Sequence, residues 1–507
     1  MSRPVRVLYV NWVDYLDAEG RGGGVSLYQR NLMAARPGPD TVFLAAGTSH
    51  DLRPGPPRWE PMRHGPDTDR ARRFEIVNSG VMAPAHVSFG DPAQVGHPAT
   101  EAVFLDFLAR QGPFDVVHFN NLEGLPVTVL GLKARFPDTR VVLSLHNYYP
   151  VCPQVNLWRQ ERAHCTDFEG GAACETCLPV RPAPRAVRMA DGLAYRLKCA
   201  GLEPGTWGHD AVFGAVAGLG RYALRGMRAL RRGPVQGPVQ GAVQGPVQGA
   251  VQGPVQGAVQ GVAPASPGSV FAARRAAMVA AVNAGCDAVL CVSDAVRDMA
   301  VSHGLEPDLL QACYIGTAQA EAWARTAPRP LPDGPLTLGY LGYMRRDKGF
   351  FFLMDALDGA PDALLGRLRL VVAARRGDAD AMGRLAALRP RLAALDWQDG
   401  YRHDGLDALL GGVDVGLVPP LWADNLPQVA IEMHSRHIPL LCSDMGGARE
   451  LAGCDAMVFA AGDAAALRAR LAALVAGEID MDAYWRGARP PVGMAQHMAE
   501  LERTYRG

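Results

Sequence analysis

The stretch VDVGLVPPLWADNLPQVAIEMHSRHIPLLCSDMGGAREL, residues 413–451, alternates apolar runs with polar turns. The pattern predicts a buried strand, a helix and a second buried strand, in the order Val413–Val418, about Pro427–Ser435 and Ile438–Cys442. Asp424 precedes the predicted helix, and Glu432 lies inside it. Both carboxylates can therefore face the crevice beyond the strand ends, where open α/β sheets bind their ligands.

The same strand, turn and helix pattern recurs through the chain. Further buried strands are predicted at Val5–Val10, Phe114–Phe119, Arg140–Leu145, Ala288–Val292, Leu336–Leu341 and Leu368–Ala373. Strands that alternate with helices are typical of parallel, doubly wound sheets. The proline-rich stretch Thr326–Pro335 indicates a linker. We therefore expect an α/β protein with a first domain over residues 1–325, a second over 326–485, and a C-terminal helix within 486–507.

Composition and charge exclude several functional classes. Lys plus Arg and Asp plus Glu both number 51, so no net charge favours binding to nucleic acid. No apolar run reaches the ~18–20 residues that a membrane span needs. The N-terminal residues are typical of a first strand rather than of a signal peptide. A cytoplasmic location is therefore expected.

Four of the ten cysteines fall in a loop-rich insertion at about residues 150–180, namely Cys152, Cys165, Cys174 and Cys177. The last two form a C-x-x-C pair, a spacing that can bind a tetrahedral zinc ion. The other spacings are irregular, so either a structural zinc site or a set of unlinked thiols accounts for the pattern.

Two neighbouring segments have a biased composition. Residues 186–232 are helical in pattern and end in an arginine-rich run. Such a helix either contacts the inner face of a membrane peripherally or exposes a basic face to solvent.

Within residues 233–261 the tetrapeptide Gly-Pro/Ala-Val-Gln occurs seven times in tandem. Because valine is its only sizeable apolar side chain, we expect this repeat to be disordered.

Two features of the first domain are candidate ligand-binding elements. The strand Val5–Val10 leads into a glycine-rich loop with Gly23 and Gly24, before a helix predicted from about Ser26. Backbone N–H groups at a helix start can bind an anion, although a flexible loop gives the same pattern. His146 follows the strand Arg140–Leu145 and either binds a ligand or caps the strand.

These motifs resemble those of the glycosyltransferases with the GT-B fold, specifically the retaining family 4. Asp424-x7-Glu432 is similar to the family's E-x7-E motif, and Gly342–Gly349 is similar to its G-R-x-x-x-x-K-G element. The resemblance implies two Rossmann-like doubly wound parallel-sheet domains that face each other across a cleft. The acceptor would bind to the first domain and the nucleotide sugar to the second. The C-terminal helix within residues 486–507 would pack back toward the first domain.

The resemblance also implies a role for individual residues. His146 and Asp424 would be the catalytic residues beside the transferred sugar, and Glu432 would bind the donor ribose. The phosphates would be held by Lys348, by the backbone of Asn425 and Leu426, and by the glycine loops, represented by Gly23, Gly24 and Gly342. Tyr343 stands where the family has an arginine, so Arg345 or Arg346 would have to reach the same oxygens.

The expected function is the transfer of a hexosyl group from a UDP- or GDP-sugar to a hydroxyl group of an acceptor, with retention of the anomeric configuration. The acceptor would be a glycan, a lipid-linked sugar or a small molecule. Its setting would be the synthesis of cell-surface polysaccharide or glycoconjugate. Fixed cations and helix N-termini can stabilise the leaving diphosphate, so no metal or cofactor is required for catalysis. The main alternative is a degenerate relative that binds a nucleotide sugar or a partner glycosyltransferase without catalysis, which Tyr343 favours. An epimerase or a phosphorylase fits the motifs less well.

Overall fold

The computed structural model describes residues 3–178, 180–215 and 269–507. The tandem repeat at 233–261 and the arginine-rich end of the predicted basic helix, at 221–232, lie outside the described residues. The prediction of disorder and the prediction of a basic membrane-contacting face at these positions are therefore untested.

The first sheet is built from strands that precede residue 313. The strands of this part of the described chain are β1 (Val7–Asn11), β2 (Thr41–Ser49), β3 (Arg58–Pro61), β4 (Arg73–Val77), β5 (Val116–Phe119), β6 (Arg140–Leu145), β7 (Trp158–Arg159), β8 (Ala163–His164), β9 (Ala288–Cys291) and β10 (Leu310–Ala312). Eight of them form one sheet in the order β10-β9-β6-β5-β1-β2-β4-β3. Every neighbouring pair is parallel except β3 with β4. The short strands β7 and β8 pair separately, within the cysteine-containing insertion.

The second sheet is parallel throughout. Its strands are β11 (Leu336–Tyr343), β12 (Leu368–Arg375), β13 (Ala394–Asp399), β14 (Val415–Val418), β15 (Leu440–Ser443) and β16 (Val458–Phe459). They lie in the order β13-β12-β11-β14-β15-β16. The prediction of two parallel-sheet α/β units is confirmed.

Helices connect the parallel strands and cover the sheets. The α-helices are α1 (Gly23–Ala35), α2 (Pro98–Gln111), α3 (Ala172–Glu175), α4 (Pro184–Cys199), α5 (Ser269–Gly285), α6 (Asp294–Ser302), α7 (Ala320–Arg325), α8 (Phe350–Asp358), α9 (Asp362–Leu365), α10 (Ala379–Leu388), α11 (Leu406–Leu410), α12 (Gln428–His434), α13 (Arg449–Ala452), α14 (Ala464–Val475), α15 (Met481–Gly487) and α16 (Met494–Arg506). A further helical segment lies at 207–215. None of the helices in the described ranges combines the length and the apolar character needed to cross a bilayer.

One helix and one strand show where the sequence-based prediction falls short. Helix α1 begins at Gly23, whereas the pattern predicted a start at about Ser26. Strand β4 lies in a Pro- and Arg-rich region for which no individual strand was predicted, and it is buried throughout. Its charged residues have buried partners: Arg73 pairs with Asp14, and Glu75 accepts hydrogen bonds from Ser49 and His64. Local sequence cannot predict burial that depends on such distant partners.

Helix α16 follows the second sheet in the chain but packs on the first. Its Tyr505 hydroxyl lies 2.7 Å from Nδ1 of His118 in β5, and Glu502 forms an ion pair with Arg36 at the end of α1. Thr317 forms an isolated parallel bridge with Gly493, just before the helix. The boundaries at residues 325 and 485 stay predictions.

Candidate active site

The loop that follows β14, residues 419–427, carries the first of the two predicted carboxylates. Gly446 (φ 76°) lies so close that a Cβ there would overlap the carbonyl oxygen of Asp424. The Gly447 N–H donates to that same oxygen at 3.0 Å, and the Ser443 hydroxyl donates to the Pro420 carbonyl at 2.7 Å. The glycine pair after β15 therefore fixes the backbone that carries Asp424.

Lys348 forms an ion pair with Asp424, although the two residues lie 76 positions apart in the chain. The Lys348 Nζ donates to Asp424 Oδ2 at 2.6 Å and lies 5.0 Å from the ring centroid of Trp422. Lys348 sits in the loop between β11 and α8. This loop meets the 419–427 loop directly, because a Cβ on Gly349 (φ 74°) would overlap the carbonyl oxygen of Pro419. Two loops at the carboxyl ends of adjacent strands thus place a cation beside a carboxylate.

The other cations of the Lys348 loop have partners of their own. The Arg345 guanidinium donates to both carboxylate oxygens of Asp347 at 2.9 Å, and Arg346 lies over the ring of Phe351 at 4.8 Å. The side chain of Tyr343, at the position where a phosphate-binding arginine was expected, is 51% exposed. A role for Arg345 or Arg346 in donor binding stays a prediction.

Glu432, on α12, is 1% exposed and is held by two residues of the loop after β13. The Tyr401 hydroxyl donates to Glu432 Oε2 at 2.8 Å. The His403 Nε2 lies 3.1 Å from Oε1, at ion-pair distance but not in hydrogen-bond alignment. Interaction with this carboxylate raises the pKa of His403, and burial raises the pKa of Tyr401. Neither residue is among the candidates predicted from the sequence, although polar side chains just after a strand were a usable signal.

Asn425 offers a buried amide next to the ion pair. Neither Oδ1 nor Nδ2 of its side chain has a hydrogen-bond partner within the described part of the chain. Its backbone oxygen accepts a 2.7 Å hydrogen bond from Ser293, which caps α6 in the first domain. The following Leu426 is buried. The Asn425 amide is therefore positioned but unsatisfied, as expected of a group that binds a polar ligand.

His146 follows β6 and approaches the site from the first sheet. Its ring lies 4.8 Å from the ring of Tyr28 in α1. The Nε2 atom is buried and lacks a hydrogen-bond partner among the residues described. Burial lowers the pKa of His146 to about 3, so the ring is neutral at physiological pH. It can exchange hydrogen bonds with a ligand but does not supply a positive charge.

The glycine loop of the first domain meets the second domain at the start of α12. A Cβ on Gly24, beside Gly23 in the first turn of α1, would lie 3.0 Å from Cγ of Gln428. The hydroxyl of Tyr148 donates to the Ala423 carbonyl at 2.9 Å. The carboxyl ends of the two sheets therefore meet around the 419–427 loop.

The four cysteines of the insertion line one cavity of about 10 Å³, together with Gln154 and Arg275. Burial raises the pKa of Cys174 to about 12 and that of Cys177 to about 11. Among the described residues, one group of three metal-ligand side chains has all of its ligand atoms within 4.8 Å of one another, and none of these four cysteines belongs to it. Of the two alternatives for Cys152, Cys165, Cys174 and Cys177, the structure therefore does not support a zinc site, and all four are free cysteines.

A family model described as "Glycosyl transferases group 1" matches residues 335–477. The matched range contains Gly342, Lys348, Asp424 and Glu432, so the similarity in sequence covers the second sheet and both of its site loops. No curated protein sequence matches the chain.

Solved structures resemble the whole chain. The α,α-trehalose-phosphate synthase (UDP-forming) from Burkholderia xenovorans, solved in complex with glucose-6-phosphate, is 13% identical, with 99% of this chain and 100% of that chain covered and a TM-score of 0.51. The chain has the GT-B fold. Anabaena HepE, solved with UDP and glucose, gives 12% identity, coverage of 99% and 100%, and a TM-score of 0.49. The lipopolysaccharide outer core galactosyltransferase WaaB is 11% identical, with 98% of this chain and 98% of that chain covered and a TM-score of 0.49.

Proposed function

We propose that the protein is a retaining glycosyltransferase of family 4 that moves a sugar from a nucleotide-diphosphate sugar to an acceptor hydroxyl. The observation that carries the proposal is the Lys348–Asp424 ion pair, at 2.6 Å, inside the range that matches the glycosyltransferase model. A lysine held beside a carboxylate at the start of a helix can exchange that carboxylate for a phosphate without leaving its position.

The donor would lie along the carboxyl edge of the second sheet. In the proposal Lys348 binds the diphosphate, and Glu432 accepts hydrogen bonds from the ribose hydroxyls in place of Tyr401. The unsatisfied amide of Asn425 supports a polar ligand at this point. The N-terminus of α8 adds a positive dipole end near the same phosphates.

Departure of the nucleotide leaves negative charge on the diphosphate and positive character on the sugar. Lys348 would stabilise the negative charge on the diphosphate, and Asp424 would stabilise the positive character of the sugar. Both side chains are held in place before the reaction begins. The acceptor hydroxyl would attack on the face that the nucleotide leaves, and the departing phosphate would take its proton. His146, neutral because burial lowers its pKa to about 3, would bind a sugar hydroxyl. This chemistry requires no metal ion.

In this proposal the acceptor binds on the side of the cleft that the first domain forms. A glycan, a lipid-linked sugar or a small hydroxyl compound would fit, within the cytoplasmic synthesis of cell-surface polysaccharide or glycoconjugate. Peripheral contact with the inner face of a membrane remains part of the proposal for acceptors that are lipid-linked.

A non-catalytic nucleotide-sugar-binding protein is the second candidate. Two observations support it. Tyr343 replaces the expected arginine, and the two neighbouring arginines contact other residues, because Arg345 donates to Asp347 and Arg346 lies over the ring of Phe351. Such a protein would bind the donor through Lys348 and Glu432 without releasing the nucleotide, because no arginine stands at position 343 to help Lys348 neutralise the leaving diphosphate.

Incubation of the full chain with a panel of UDP- and GDP-sugars, with mixed glycan and lipid-linked acceptors, tests the proposal. We expect release of the nucleotide from at least one donor, with retained anomeric configuration in the product. The rate should persist in a chelator, because Lys348 rather than a metal neutralises the diphosphate. Binding without release would favour the second candidate. Loss of release in a chelator, from protein that stays folded by circular dichroism, would contradict a metal-independent reaction.

A further inference from the structure

A different cluster of metal-ligand side chains lies where α16 packs against the first sheet. Cys313 follows β10, and His497 and Glu500 belong to α16. One ligand atom from each residue lies within 4.8 Å of the other two. Cys313 is 3% exposed and His497 is 1% exposed, so the cluster is largely closed to solvent.

The separation of the sulfur and nitrogen atoms suits a shared metal ion. Cys313 Sγ lies 3.8 Å from His497 Nδ1. Zinc binds thiolate sulfur at ~2.3 Å and imidazole nitrogen at ~2.0–2.1 Å, which at a tetrahedral angle places the two ligand atoms roughly 3.6 Å apart. A small shift of either side chain would thus complete the ligation.

The His497 ring is already oriented for this role. Its Nε2 lies 2.7 Å from the hydroxyl of Tyr28 in α1, which leaves Nδ1 to face Cys313. An outer hydrogen bond on the second ring nitrogen is the usual way in which a metal-binding histidine is fixed. Three residues further along the same helix face, Glu500 is presented to the same point.

Charge balance also favours a divalent cation. Metal binding displaces the thiol proton of Cys313, so the ligands would be one thiolate, one neutral imidazole and one carboxylate. Their summed charge cancels that of Zn²⁺, and a neutral assembly avoids the cost of an unpaired charge in a buried place. Three protein ligands leave the fourth tetrahedral position, which a fourth protein ligand fills in most structural zinc sites, for a water molecule here.

We propose that Cys313, His497 and Glu500 bind a zinc ion that fixes α16 to the end of β10. The site is separate from the Lys348–Asp424 pair and does not rest on the proposed transfer reaction. Its effect would be structural, because it would tie the segment that follows the second sheet to the first sheet. It lies one side chain away from His146, since Tyr28 contacts both histidine rings.

Zinc content of the full chain tests the proposal. The purified protein would be loaded with ZnCl₂, desalted and measured by plasma mass spectrometry, together with Cys313→Ser and His497→Gln. Cys286→Ser, another buried cysteine of the first domain, serves as the matched control, and Cys174→Ser/Cys177→Ser reports on the insertion. We expect one zinc per chain in the wild type and in both controls, and none in Cys313→Ser or His497→Gln. A zinc-free wild type, or zinc lost only in Cys174→Ser/Cys177→Ser, would overturn the proposal.

Cobalt substitution of the wild type gives the same answer if a variant fails to fold. Co²⁺ bound to Cys313 should show a charge-transfer absorption with the intensity of one thiolate ligand. The intensity of several thiolates would place the metal at the insertion, and the absence of any such band would show that Cys313 is not a ligand. Either result would refute the Cys313 site.

Discussion

Replacement of Lys348 by alanine is expected to lower kcat/KM for the donor by about 10²–10³-fold, the usual loss when one preorganised group that stabilises transition-state charge is removed. Lys348 is the cation that the structure holds against Asp424, and Arg345 and Arg346 are occupied elsewhere. The loss should appear mainly in kcat, because the charge on the leaving diphosphate grows as the bond breaks. Steady-state nucleotide release over a range of donor concentrations measures both constants.

Lys133→Ala is the matched control for the Lys348 substitution. Lys133 also pairs with an aspartate, Asp287, but that aspartate precedes β9 and so lies at the end of the first sheet opposite to the cleft. The control should retain wild-type kinetics. An unchanged kcat/KM in Lys348→Ala would show that another group neutralises the diphosphate.

Acidification is expected to destabilise the protein strongly between pH 7 and pH 5. Burial lowers the pKa of His50 and of His434 to about 4, and that of His146 to about 3. In the unfolded chain these histidines take up a proton near pH ~6.5. Below that pH the unfolded state binds more protons than the folded state, so the free energy of unfolding falls as pH falls. Each histidine contributes a slope of up to about 1.4 kcal/mol per pH unit.

Urea denaturation at pH 7.5, 6 and 5 measures this slope. His434→Gln retains a side chain able to donate to the Arg489 carbonyl, which His434 Nε2 contacts at 2.8 Å, but cannot titrate. Its free energy of unfolding should therefore depend less steeply on pH than that of the wild type. A wild-type stability that is flat from pH 7.5 to pH 5, or an identical slope in His434→Gln, would contradict the assignment of neutral buried histidines.

Much of the fold follows from local apolar patterns. Strand β6 occupies Arg140–Leu145 as predicted, because its run of buried residues is bounded by polar ones. Strand β4 could not be predicted in this way, since Arg73 and Glu75 are buried only because Asp14, Ser49 and His64 surround them. These partners come from separate segments, so no window of sequence contains the reason for the burial.

The candidate sites divide along the same line. Sequence motifs located Asp424, Glu432 and Lys348, but the ion pair between the first and the last depends on contact between two loops. The C-x-x-C spacing left a zinc site and a set of unlinked thiols as alternatives, and the sulfur positions do not support the zinc site. The cluster of Cys313, His497 and Glu500 does bring ligand atoms together. Because Cys313 and His497 lie 184 positions apart in the chain, no local motif predicts it.

Calorimetric titration with UDP, GDP and their sugars tests the central claim most directly. We expect either UDP and its sugars or GDP and its sugars to bind the wild type. Glu478→Ala, a control at an exposed position, should bind them with the same affinity. In Glu432→Ala the affinity should fall by about 10–100-fold, since the ribose loses its charge-assisted hydrogen bonds. Failure of every nucleotide to bind the wild type, or equal affinity in Glu432→Ala, would contradict a nucleotide-sugar site at the carboxyl edge of the second sheet.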